Sequence, residues 1–236
     1  MKILILDPER KTSHRISKDT SGGYGTGNDF GDTFVPNILK FLMKKNSDWP
    51  PLHAVYTFSV LEKKGHEVSY HKNLPKDFEK FDLFIIVSSI VCCETEIEFI
   101  KKLNKKNKKI FAIGPFATNI PKKYVDAGAT VINGEPEFYF LKTDNFNDDL
   151  EKEIVEFKHE FSVDDLPYPS WNKVLKNFKN VNNLFGRYKS LPILGTRGCP
   201  YSCQTYCVYP LQQGRKVRQR DPIKIVDEMQ YWKDNY

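Results

Sequence analysis

The chain has 236 residues, 40% of them hydrophobic, with 17 Phe and 12 Tyr, enough for one large domain or one to two ordinary ones with a packed core. No apolar run approaches the ~20 residues of a membrane-crossing helix, which excludes a helical span. The net charge of +6 is modest. Lys101, Lys102, Lys105, Lys106, Lys108 and Lys109 carry no interleaved aromatics, so they describe the solvated face of one helix and not a nucleic-acid surface.

At the N-terminus a short apolar run, residues 1–6, ends in Asp7 and Pro8. Lacking a long apolar region and a small-residue cleavage site, it predicts a first β-strand over residues 3–6, not a signal peptide. Five cysteines without a secretory signal then point to a reducing compartment, the cytoplasm. Residues 53–64 place Val55, Phe58, Val60 and Leu61 on an amphipathic helix closed by Gly65. A second strand follows at 67–70. Residues 83–87 are continuously apolar, as in a central parallel strand buried on both faces. A helix at 94–103 turns Ile97, Ile100 and Leu103 inward. A strand at 110–113 ends at Gly114-Pro115, a short helix at 121–127 is capped by Gly128, and a last short strand spans 130–132. This alternation predicts an α/β fold with a doubly wound parallel sheet. Ligands of such sheets bind beyond the carboxyl ends of the strands. Here those ends are the loop 7–36, Ser88 and Ser89, Gly114-Pro115, and Gly134-Glu135.

Within that first loop, residues 21–27 are rich in glycine but miss the spacing of the dinucleotide fingerprint and lie well after the first strand, so they describe a flexible glycine loop. Cys92-Cys93 fits a pair of buried free thiols at a strand-to-helix turn better than a strained vicinal disulfide. His66 sits in a turn and fits a surface residue better than a ligand. Residues 144–160 are charged and predict a connector with one helix or hairpin. Beyond them, the prolines of 164–171 favour an extended path anchored by Trp171. A strand is expected at 191–196. Asp221-Pro222 opens a helix to residue 236 that buries Ile225, Met229 and Trp232. Arg215, Lys216, Arg218 and Arg220 form a cationic patch that is either a solvated loop or a contact for a ligand carboxylate or phosphate.

The densest chemistry lies just before that patch. Cys199, Cys203 and Cys207 fall within nine residues, in a loop containing Gly198, Pro200, Tyr201 and Tyr206. A loop of this length can turn three sulfurs toward one centre, the ligation that iron–sulfur clusters and zinc use. No fourth cysteine follows and the histidines lie far upstream, so one coordination position stays open, which suits chemistry.

A strand running into Arg197-Gly198-Cys199-Pro200-Tyr201-Ser202-Cys203, with an aromatic residue before the final cysteine, resembles the cluster loop of the radical S-adenosylmethionine enzymes. The family spacing is Cys-x3-Cys-x2-Cys. Here the second gap holds Gln204, Thr205 and Tyr206, one residue more. The preceding α/β region resembles the cobalamin-binding domain found N-terminal to many such enzymes. The matching pieces are the opening strand, residues 50–54 ahead of a helix ending at Lys64-Gly65-His66, and the strand-end pairs named above. The Asp-x-His-x-x-Gly string of cobalamin-dependent mutases is absent.

The resemblance implies a Rossmann-like cobalamin-binding domain at 1–140, a connector at 141–190, and the first βα unit of an incomplete radical S-adenosylmethionine barrel at 191–236. It implies a 4Fe-4S cluster on Cys199, Cys203 and Cys207, S-adenosylmethionine with Tyr206 beside its adenine, and cobalamin in a crevice edged by Ser88, Ser89, Gly114, Gly134 and Glu135. The implied activity is methyl transfer or radical rearrangement on a small-molecule or lipid- or glycan-like substrate, with electrons from a flavodoxin or ferredoxin. The alternative expectation is a non-catalytic α/β ligand-binding module with a structural zinc loop.

Overall fold

The structure, a computed structural model, describes residues 1–9, 16–19, 23–27, 31–46, 49–157, 161–177, 191–201, 203 and 207–236. Its centre is a six-stranded, all-parallel, Rossmann-like sheet: β1 (Lys2–Leu6), β2 (Glu67–His71), β3 (Leu83–Val87), β4 (Lys109–Ile113), β5 (Thr130–Gly134) and β6 (Ile154–Phe157), in the spatial order β2-β1-β3-β4-β5-β6. The strand order reverses between β1 and β3, where Ile3 pairs with Val68 on one side and Leu83 on the other. A doubly wound sheet places its ligand crevice at such a reversal.

Strand periodicity divides the core in two. Ile3, Ile5, Leu83, Ile85, Val87, Phe111 and Ile113 face one layer, while Leu4, Leu6, Phe84, Ile86, Ile110 and Ala112 face the other. The first layer packs on α2 (Leu52–Lys63) and α6 (Pro136–Lys142), the second on α3 (Cys93–Asn104), α4 (Pro115–Asn119) and α5 (Pro121–Val125). All five β3 side chains are inaccessible to water. Each such aliphatic residue contributes about 1.5–3 kcal/mol of burial energy, and two-sided burial explains why the sequence there runs apolar without alternation.

Several expectations hold closely. Helix α2 starts one residue before the expected position and ends at Lys63, with Gly65 at φ +85°. Helix α3 buries Ile100 and Leu103, leaving Lys101, Lys102, Lys105 and Lys106 in solvent. Cys92 and Cys93 are free and buried at the turn into α3. His66 is half-buried beside the Phe146 ring. Trp171, which opens α7 (Trp171–Val174), is fully buried and meets Trp49 edge-on.

Other segments differ. In place of the helix or hairpin expected for residues 144–160, their described part is a 3-10 turn at Asp148–Glu151 followed by β6, whose Ile154 pairs with Val131. Val155 is the strand's buried residue and Phe157 packs half-buried on the same core layer, while Ile154 and Glu156 lie outside. The strand expected over 191–196 is reduced to Thr196–Arg197, which pairs antiparallel with Arg218–Gln219. Helices α1 (Phe34–Asn46) and α6 had not been expected. The last helix, α9 (Pro222–Asn235), begins as expected, with Asp221 accepting from the Ile223 amide at 2.8 Å. It nevertheless exposes Met229 and buries Glu228, because Glu228 pairs with the buried Arg220. Among the described residues no helix is long and apolar enough to cross a membrane.

Candidate functional site

The carboxyl ends of the strands carry two layers of polar residues. The lower layer fills the reversal point between β1 and β3. Lys18, from a segment lying over the strand ends, puts its Nζ 3.0 Å from Asp7 Oδ1, 3.0 Å from Glu96 Oε1 and 2.7 Å from the Val87 carbonyl. Asp7 also accepts from the Tyr70 hydroxyl at 2.9 Å. Glu96 accepts from the Ser89 amide at 3.0 Å, from Ser89 Oγ at 3.2 Å and from the Tyr124 hydroxyl at 2.6 Å.

One ammonium faces two carboxylates, all three groups buried. Burial works against the Lys18 charge, yet Glu96 and Asp7 outweigh it and raise its pKa. Burial also raises Glu96, against the pull of Lys18, Tyr124 and Ser89. A proton retained on Glu96 would leave the cluster neutral.

Ser88 and Ser89, expected to edge a cofactor, are therefore at the floor of the crevice. Both have 0% exposure. The Ser88 hydroxyl accepts from the Ala117 amide at 2.9 Å, and the Ser89 hydroxyl is held by Glu96. Gly114 lies above Ser88, and a Cβ built there would stand 3.0 Å from His53 Nε2.

The upper layer joins the sheet to the cysteine segment through buried charge. Arg197 Nη2 is 2.7 Å from Glu137 Oε1, and Arg218 Nη2 is 2.8 Å from Glu135 Oε2. The anions follow β5 directly, because α6 begins at Pro136 and turns Glu137 back over the sheet. Gly134 makes this turn feasible: at φ +133°, a Cβ would lie 2.0 Å from the Phe157 carbonyl oxygen. Tyr209, the first residue of α8 (Tyr209–Gln213), donates to the Asp19 carbonyl at 2.7 Å, while Asp19 Oδ1 is 3.5 Å from His53 Nδ1. Burial opposes ionisation of Asp19, but His53 and the Leu52 amide together keep its pKa low.

The cationic patch splits in a way neither expectation described. Arg218 and Arg220 meet carboxylates of the protein itself, Glu135 and Glu228, while Arg215 and Lys216 are exposed. The glycine loop is described only over residues 23–27, where Tyr24 Oη accepts from Asn119 at 3.0 Å and Gly23 abuts Pro115 and Val208.

Glu135 has an unusual balance. Burial, reinforced by Glu137 and opposed by Arg197 and Arg218, pushes its carboxyl up to about 7. Its unfolded-state value is about 4.3. The folded chain thus holds the proton more readily, so Glu135 lowers stability as pH rises through the window from about 4.3 to 7. Over that window the effect is at most about 4 kcal/mol. Glu135→Gln is expected to flatten the fall in stability between pH 5 and 7, measured by urea denaturation; an unaltered slope would exclude this role.

Two cavities open between the layers. One, of about 290 Å³, is lined by His53 and Asp19 from below and by Arg197, Gly198 and Cys199 from above. The other, of about 380 Å³, lies over β5 and β6, between Glu135 and α8. His53 is 4% exposed, and its Nε2 has no hydrogen-bond partner among the described residues.

Cys199, Cys203 and Cys207 are free thiols, with Cys203 exposed and the other two half-buried. Gly198 (φ +95°) and the Cys199 amide, donating to the Gly214 carbonyl at 3.2 Å, fix the start of their loop. Three thiols with no other covalent partner are the right donors for an iron–sulfur cluster or zinc. Among the described residues, however, no three His, Cys, Asp or Glu side chains gather closely enough to hold a metal ion. Donor chemistry fits; the enclosing geometry is not formed. Tyr206 lies outside the described residues. For a corrin, the fit rests on buried polar atoms at His53 and Glu135 that have no hydrogen-bond partner among the described residues.

Sequence reasoning had missed Lys18, His53, Glu137 and Glu96. Glu96 had a readable signal, since residues 96, 100 and 103 make one buried helical stripe and an acid there requires a partner. Lys18 had none.

No family model matches the chain. It is similar to a protein of Synechocystis sp. described as an uncharacterized methyltransferase, with 25% identity over 191 residues, 77% of this chain and 33% of the relative. The chain thus spans about one third of the length of that curated relative.

Proposed function

We propose that this chain is the N-terminal part of a cobalamin-dependent radical S-adenosylmethionine enzyme. The observation that supports it most is the placement of the cysteine segment. Arg197–Glu137, Arg218–Glu135 and Tyr209–Asp19 tie that segment to the carboxyl ends of an all-parallel doubly wound sheet. Three free thiols thus stand beside the rim where such sheets bind ligands. Methyl transfer is favoured over radical rearrangement by the description of the Synechocystis relative as a methyltransferase.

In this reading Cys199, Cys203 and Cys207 hold a 4Fe-4S cluster, and Tyr206 stands beside the adenine of S-adenosylmethionine. Cluster, S-adenosylmethionine and corrin together would supply reductive cleavage chemistry and a methyl carrier. The chain's own residues position and insulate. Gly114 and Gly134 let the turns after β4 and β5 pack closely on Ser88 and Phe157, Ser88 and Ser89 brace the floor of the rim, and Glu135 stands at its edge. Arg197 neutralises Glu137 directly beneath the thiols. Among the described residues the three sulfurs do not converge on one centre, so metal binding would draw them together, as it does wherever ligands converge only on the metal. Substrate, and a flavodoxin or ferredoxin as electron donor, follow from the same resemblance.

Equilibrium dialysis of the full chain with hydroxocobalamin is expected to show retention at high micromolar concentration, with a shifted visible spectrum. No retention would sink the corrin half of this reading.

A further inference from the structure

Helix α1 carries an apolar strip that the sheet does not cover. Phe34 is 79% exposed, Val35 62%, Ile38 43% and Leu39 44%. Positions 34, 35, 38 and 39 share one side of an α-helix, so these four side chains form a continuous surface. None of them belongs to either core layer, and of the described side chains of α1 only Pro36 is half-buried. A contiguous apolar patch of this kind on a protein surface marks a place where something binds.

The charge of the helix says what. Between Phe34 and Asn46 the sequence carries Lys40, Lys44 and Lys45 and no acid; the nearest carboxylates along the chain, Asp32 and Asp48, lie outside the helix. By register, positions 40 and 44 fall opposite the apolar strip, and position 45 falls in the last turn. An apolar strip backed by lysines with no compensating acid suits a helix lying in the plane of a bilayer, its apolar side among acyl chains and its cations at anionic headgroups. A second copy of the chain suits it less, because pairing α1 with itself would bring like charges together. At 13 residues the helix is about 20 Å long, too short to cross a bilayer.

We infer that α1 is a surface helix that docks this protein on anionic lipid. The inference stands apart from the cobalamin reading. The chain reaches α1 from Tyr24, whose carbonyl accepts from the Ile90 amide beyond the end of β3, and leaves it for Leu52 at the start of α2. Both anchors lie on the carboxyl side of the sheet, so docking through α1 would set the crevice beside the lipid.

Co-sedimentation of the full chain with vesicles tests this. Vesicles of phosphatidylglycerol and phosphatidylcholine in equal parts are expected to bind it at least about tenfold more strongly than phosphatidylcholine alone, with binding falling as salt rises. Phe34→Ser combined with Ile38→Ser should weaken binding about tenfold, through lost apolar insertion. Lys40→Gln combined with Lys44→Gln should weaken it roughly twentyfold, through lost attraction to the headgroups. The Phe34 and Ile38 double variant should melt at the wild-type temperature, because both side chains face solvent. No binding of the wild-type chain to anionic vesicles, or undiminished binding of either double variant, overturns the inference. A lower melting temperature for the Phe34 and Ile38 variant would mean that the strip packs within the protein. A wild-type dimer that this variant dissolves would mean that a second copy covers it. Either result also overturns lipid docking, and none of these outcomes bears on corrin binding.

Discussion

Cys199→Ala, Cys203→Ala and Cys207→Ala are each expected to abolish iron and sulfide incorporation when the full chain is reconstituted anaerobically. Cys92→Ala and Cys93→Ala are expected to leave it intact. The contrast follows from environment. Cys92 and Cys93 are enclosed at the turn into α3, against the second core layer, with no path to a cluster. The other three thiols are free, accessible and within nine residues. A three-thiolate site has no redundancy, so one missing sulfur leaves too few ligands for a stable cluster. The reconstituted wild-type chain should be brown, with broad absorption near roughly 400 nm; a zinc site would be colourless. Normal iron content in the Cys207→Ala variant would refute the three-cysteine assignment. Stoichiometric zinc without iron would favour a structural loop.

The second large effect is on stability. Lys18→Met should destabilise the chain by about 3–5 kcal/mol, because it leaves Asp7 and Glu96 facing each other in a buried space with no cation. The loss should be greater at pH 8 than at pH 5, since protonation relieves the unpaired carboxylates. Adding Glu96→Gln to Lys18→Met should recover part of the loss, as the remaining group is neutral and still receives the Ser89 amide and the Tyr124 hydroxyl. Chemical denaturation of the two variants at both pH values measures this. A loss under 1 kcal/mol for Lys18→Met would mean that the cluster does not hold the segment over the strand ends.

This cluster also bears on the crevice itself. Doubly wound sheets admit ligands between the strands where the order reverses. Here Lys18, Tyr70 and Glu96 occupy that place. A ligand would therefore lie across the rim, where one cavity opens beside His53 and another over β5 and β6.

Much of the sheet was legible because strand burial writes itself into local pattern. Residues 83–87 are apolar without interruption since both faces are covered. Five of the six strands were expected, four inside the sheet and β2 at the other edge. The sixth was not: at the edge, one face of β6 meets solvent, and a single buried Val155 among charged neighbours carries no periodic signal. Likewise α9 shows Ile225, Met229 and Trp232 at helical spacing, but the stripe that packs runs through Glu228 and Trp232. A buried arginine just ahead of the helix, Arg220, decided that orientation.

By itself, then, the sequence determined the parallel α/β frame, the helix ends at Gly65 and Asp221, the two enclosed thiols at the start of α3 and the three clustered thiols of the 199–207 loop. Each depends on residues near one another in the chain. Only the tertiary structure decided what the polar residues do. Lys18 meets Glu96 across 78 positions, and Arg197 meets Glu137 across a domain's worth of chain. Such pairs exist because burial makes an unpaired charge intolerable, a requirement that binds residues close in space wherever they lie in sequence.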